Sequence, residues 1–77
     1  MEITQAEKEF MYYKLGSAGS FRTALYDAYF RADDINALKL ESVFPELEVL
    51  RRYSRESGYW EDLCTRWNQN TNQSIEA

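Results

Sequence analysis

Few residues of this chain are of a type that does chemistry, and they divide among several unrelated reactions. The run GSAGSF, residues 16–21, stands directly before a helical pattern, and backbone N–H groups at a helix start are a natural phosphate site. Cys64 is a lone thiol. Arg51, Arg52, Arg55 and Arg66 concentrate positive charge suited to an anion or an acidic partner. Asp33, Asp34 and Asn36 look like the opening of a calcium loop.

Most of these fail on context. A nucleoside-triphosphate loop needs Lys and then Ser or Thr after its second glycine, whereas Ser20, Phe21 and Arg22 follow Gly19. The dinucleotide version needs a preceding strand, and here a helix precedes. Gly16 as a left-handed helix terminus, with Ser17 or Ser20 as the next cap, accounts for the run as a turn. The calcium pattern breaks at once: Leu38 stands where a ligand is needed, and the loop glycine and the closing glutamate are missing. Cys64 has no histidine to activate it, because the chain has none. It shares a helix face with Trp60 and Trp67, which reads as a small buried hydrophobe. A catalytic site, a metal site and a cofactor are therefore not expected.

The arginines have two readings. In one, Arg51, Arg52 and Arg55 lie on a helix that touches nucleic-acid phosphate, as in a small DNA-associated regulator. In the other they lie on a solvated face, with Glu48 before Arg51 and Arg52 and Asp62 before Arg66 as ordinary helix pairs. The net charge of −4 and pI of about 4.7 disfavour nucleic acid. Recognition of an acidic protein stays open.

The elements that must carry these residues read as helices throughout. Thr4 and Glu7 fit a capping box, and Ile3, Ala6, Phe10 and Tyr13 follow as one stripe, ending at Leu15 and Gly16. A second helix is expected from about Ala18 to Ala32, with Phe21, Ala24, Leu25, Ala28 and Ala32 on one face and Tyr26 and Phe30 on another. Asp33 or Asp34 caps a third helix running to about Val43, with Ala37, Leu40 and Phe44 on one side and Ile35 and Leu38 on another. Pro45 suits the first position of a fourth helix, where Leu47, Leu50 and Tyr53 would face inward. Ser57 and Gly58 break the pattern before a fifth helix carrying Tyr59, Trp60, Leu63, Cys64 and Trp67 on one side. The sequence shows neither strand alternation nor an internal repeat.

The expected fold is all-α: a compact bundle of four to five short helices spanning 1–67, followed by a polar tail at 68–77. The tail is expected to be disordered and dispensable for stability, since it holds too little apolar surface to offset ordering entropy. A chain of 77 residues builds a thin core. Six Tyr, four Phe and two Trp suit such a core, and the surplus rings at Tyr12, Tyr26, Phe30 and Tyr59 suggest a protein interface. A homodimer centred near Tyr26 and Phe30, or an unidentified protein partner, is the leading expectation. One cysteine and no signal-peptide pattern point to the cytoplasm, and no apolar run approaches a membrane span.

The stretch from Tyr13 to Leu63 resembles a family of short helical proteins of bacteriophages and integrated mobile elements of gut and Gram-positive bacteria. The residues that carry the resemblance are GSFRTAL at 19–25, Ala32-Asp33, FPE at 44–46 and GYW at 58–60. It implies a phage or mobile-element setting and brings no catalytic or binding residue with it. The function expected overall is a non-enzymatic interaction module.

Overall fold

The computed structural model describes residues 2–71 and 73–76. Within them lie five α-helices and no strand: α1 (Gln5–Lys14), α2 (Ser20–Arg31), α3 (Asp34–Val43), α4 (Glu48–Arg55) and α5 (Tyr59–Asn70), with a 3-10 turn at Pro45–Leu47 leading into α4. None of the described helices is long and apolar enough to cross a membrane.

Local chemistry sets each boundary. Thr4 Oγ1 accepts from the Glu7 N–H at 3.1 Å, and Glu7 Oε1 accepts from the Thr4 N–H at 3.0 Å, so the expected capping box starts α1. At its other end the Ser17 N–H reaches Tyr12 O and the Gly16 N–H reaches Tyr13 O. This double closure needs a left-handed residue, which Gly16 supplies at φ 77°. Asp33 caps α3 by accepting from the Asn36 N–H at 2.8 Å. Phe44 takes φ −122° and ψ 82°, outside the helical region, because the ring of Pro45 crowds a helical residue before it. Gly58, at φ 84°, turns the chain into α5.

Two expectations about these ends are corrected. The cap of α2 is Gly19, and it makes no side-chain bond; neither Ser17 nor Ser20 caps the helix. The charge pairs on α4 also differ, since Arg51 and Arg52 bond to Glu41 and Glu56 rather than to Glu48.

The core is built on rings. Phe10 is fully buried, with centroids of Tyr53 at 5.1 Å, Trp60 and Tyr13 at 6.2 Å and Tyr26 at 6.4 Å. All lie within the range in which tilted and edge-on ring pairs attract beyond simple burial. Met11, Leu47, Leu50 and Leu63 complete the interior.

Helix α2 sits rotated from its expected orientation. Leu25, Tyr26 and Tyr29 are its buried residues, whereas Phe21, Ala24 and Ala28 lie on the surface. Long tyrosines that end in a hydrogen-bonding group keep it partnered when buried: Tyr29 O–H reaches across to α3 and donates to Glu41 at 2.8 Å, and Tyr26 Oη accepts from Arg22 of the same helix at 3.1 Å. The alanines offer no comparable contact, so the tyrosine arc turns inward.

Helix α5 continues past Trp67 to Asn70, three residues beyond the expected boundary, and described residues of the tail bond back to it. Gln73 Oε1 accepts from Trp67 Nε1 at 3.0 Å, and Asn68 exchanges two bonds of 2.9 Å with the backbone of Ile75. Ile75 packs against the core. Asn72 and Ala77, which the expected tail includes, and Met1 of the expected domain lie outside the described residues.

Candidate functional site

The residues singled out from sequence scatter, and most have structural duties. Tyr26 is fully buried and Tyr59 nearly so; neither presents any ring to a partner, which corrects their placement at an interface. Tyr12 and Phe30 are 44% and 40% exposed. Each already leans on rings of its own chain, Tyr12 edge-on to Trp67 at 5.7 Å and Phe30 against Tyr13 and Tyr53. The four are not one surface.

The arginines are engaged by carboxylates. Arg51 bonds to Glu41 at 3.1 Å and Arg55 to Asp34 at 3.1 Å. Arg52 makes a two-pronged bond to Glu56 at 2.8 and 3.2 Å and lies 4.4 Å above the Tyr59 ring. Arg66 is withdrawn from the surface altogether. Its guanidinium meets Glu7 at 2.7 and 2.8 Å and Asp62 at 2.9 Å.

That last cluster is the strongest concentration of ionisable groups in the molecule. Glu7 is 3% exposed. Its Oε1 accepts from Thr4 and Arg66, and its Oε2 accepts from the Tyr59 hydroxyl at 2.6 Å and from Arg66. Burial alone would push the carboxyl up. The hydrogen bonds from Arg66, the Thr4 N–H and Tyr59 outweigh that effect and hold it at about 2. The Tyr59 hydroxyl is shifted the other way, upward, by burial and by the carboxylate it faces. All four acceptor positions of Glu7 are filled, so the cluster joins the start of α1 to α5 and holds no carboxylate poised for proton transfer. Sequence reasoning took Glu7 for a cap and Arg66 for a surface charge. Their alignment over fifty-nine residues of separation left no local signal.

The Gly-Ser turn and Cys64 are likewise accounted for. A cleft of about 220 Å³ beside the turn is lined by Glu9 as well as Arg22, and Arg22 is held by Glu9, Glu46 and Tyr26. A carboxylate at the mouth opposes phosphate. The Cys64 thiol is buried, and burial pushes its pKa up, away from the reactive thiolate. Among the described residues no group of His, Cys, Asp or Glu is arranged to hold a metal.

What stands out is the outer face of α3. Ile35 and Leu38, one turn apart on it, are 68% and 65% exposed, and Val43, on its flank about 80° round the helix from Ile35, is 68% exposed. The helix has no fully buried residue, because only Ala37, Leu40 and Phe44 lean on the core. Phe21 of α2, 65% exposed, packs beside Phe44 at the far end of α3. Between α3 and α4 runs a shallow cleft with compartments of about 130 and 240 Å³, crossed by the Arg51–Glu41 and Arg55–Asp34 pairs. Both fall below the roughly 300 Å³ at which small-molecule pockets begin. The chemistry on offer is an apolar ridge edged by charge. Its signal was present in the sequence as the second stripe of Ile35 and Leu38, directed away from Ala37 and Leu40.

Comparison with known proteins finds no matching family, no similar curated protein and no similar solved structure.

Proposed function

We propose that this chain is a non-enzymatic protein-interaction module whose recognition surface is the outer face of α3. The observation that carries the reading is the exposure of Ile35, Leu38 and Val43 on one well-formed helix. Single exposed apolar residues are ordinary, but a group of them edged by polar residues marks a docking surface. Covering each such side chain is worth about 1.5–3 kcal/mol, and the folded chain leaves that gain unclaimed.

Two further facts support the reading over its rivals. The densest ionisable cluster, around Glu7, is saturated with internal hydrogen bonds and opens onto no large cavity. The arginines that a DNA-associated regulator would use are each neutralised by a neighbouring carboxylate, which weakens attraction to phosphate.

A photoreactive side chain placed at Leu38, in the chain expressed in its own cell, tests this. Protein adducts are expected at position 38 and not at the control position Glu61, on the exposed side of α5. Equal labelling at the two positions, or none at position 38, would count against docking.

A further inference from the structure

The exposed residues of α3 follow a spacing that bears on what covers them. Ile35, Leu38 and Ser42 succeed one another at intervals of three and four, the a, d and a positions of a helix–helix seam. Leu40 lies opposite them and packs on the core. The seam is flanked by Asp34 on its g side and Lys39 on its e side. The side chain of Asp34 is 89% exposed and pairs with Arg55 at 3.1 Å, a solvent-exposed pair that leaves the carboxylate open to a second cation, and Lys39 has no ion-pair partner among the described residues.

From this pattern we infer that the α3 face is covered by α3 of a second copy of the same chain, the two helices running parallel about a two-fold axis. This rests on the docking role proposed above and names its occupant. In a parallel pair the g residue of one helix meets the e residue of the following heptad on the other. That brings Asp34 of each copy to Lys39 of its partner, twice over. The antiparallel alternative sets Lys39 against Lys39, a contact that repels. Charge thus selects the parallel arrangement. Ser42, small at its seam position, lets the backbones approach at the C-terminal end.

A standard interface removes about 800 Å² per partner, about one-sixth of the 5096 Å² surface. Helix α3 is only ten residues long, so the dimer belongs at the small end of the range. Half-association is expected at about 10–100 µM.

Sedimentation equilibrium of the full chain at rising concentration is the test. The wild type is expected to dimerise. Leu38→Glu should weaken association by about 30-fold or more while leaving the circular-dichroism melt unchanged at a concentration too low for association, since Leu38 is exposed. Lys39→Glu should weaken it about 3-fold, and adding Asp34→Lys to that variant should restore it. Ser42→Cys should oxidise to a disulfide with its own copy, with wild type as the control for Cys64. A chain that stays monomeric to about 1 mM, or a dimer indifferent to Leu38→Glu, overturns the second copy. A dimer in which cysteine at position 42 pairs only with cysteine at position 35 overturns the parallel orientation. The two proposals fail separately: adducts to another protein at position 38, with a monomer in solution, refute the homodimer and leave the docking face standing.

Discussion

On the α1–α5 side, a carboxylate and a guanidinium are shut away from water, Glu7 with 4% and Arg66 with 12% of the side chain exposed. On the α3 side, isoleucine, leucine and valine stand in it. The first region uses polar groups to lock two distant helices together. The second leaves apolar groups unused by the fold. Burial in this small protein therefore follows which partners a side chain can find, more than its polarity. Glu7 is buried because four donors converge on it; Ile35 is exposed because the single layer beneath α3 is already filled by Ala37, Leu40 and Phe44. One side is built for the monomer, and the other has no role in the monomer at all.

If that contrast holds, substitutions on the two sides should differ severalfold in their cost. Removing Arg66 (Arg66→Ala) leaves an ionised, buried Glu7 with only the Tyr59 hydroxyl and the Thr4 N–H as donors. Breaking such a pair from one side costs about 3–5 kcal/mol, a large part of the stability of a domain this small. Urea denaturation should show a midpoint near or below half that of the wild type. A shift no larger than that of a surface residue would mean that the cluster is ornamental.

Acid should find the same side next. The Glu7 carboxyl sits at about 2 when folded, against an ordinary 4.5. A lowered folded pKa gives stability that is fully present above about pH 4.5 and is lost as pH falls toward 2. Between pH 6 and pH 3 this group alone should remove about 2 kcal/mol. Glu7→Gln starts lower but should lose less over that interval, and comparing the two slopes by urea denaturation isolates Glu7 from the surface carboxylates. Parallel slopes would refute the assignment.

Much of this architecture was legible in the sequence where the cause is local. The Thr4–Glu7 box, the left-handed Gly16, the turn at Gly58 and the break at Phe44-Pro45 are each decided within a few residues and stand where the sequence places them, and of the two aspartates offered as the cap of α3 it is Asp33 that serves. The aromatic stripe of α5 was equally plain. The failures are those of long-range partnership. Helix α2 is apolar over most of its circumference, so periodicity offered two inward arcs, and Tyr29 with its distant acceptor Glu41 was overlooked in favour of Phe21 and the alanines. The exposed apolar face was visible only as a leftover stripe on α3, since nothing in a sequence says which of two apolar sides the fold will leave uncovered.

The C-terminal segment lies between the two extremes. Judged by composition it should contribute nothing, yet Gln73 accepts from the Trp67 indole and Ile75 packs on the core through its bonds with Asn68. Burial of part of one isoleucine and three hydrogen bonds is opposed by the entropy of ordering the segment. The balance is expected at about 1–2 kcal/mol, and a chain ending at Asn70 should melt several degrees lower in a calorimetric scan. An unchanged melting temperature would return the segment to the dispensable tail that its composition suggests.

The smallest effect belongs to the α3 ridge, and it is the most telling. Ile35→Ser removes a side chain that is apolar, large and on a helix, a substitution that in a core costs several kcal/mol. Here the side chain touches little of its own chain, so the monomer should change by no more than about 0.5 kcal/mol, measured at a concentration too low for association. At high concentration the same variant should lose whatever stability depends on protein concentration, because that part arises from covering the ridge. The difference between the two measurements separates a residue kept for the fold from one kept for contact, and Ile35 falls on the side of contact only if the first is near zero.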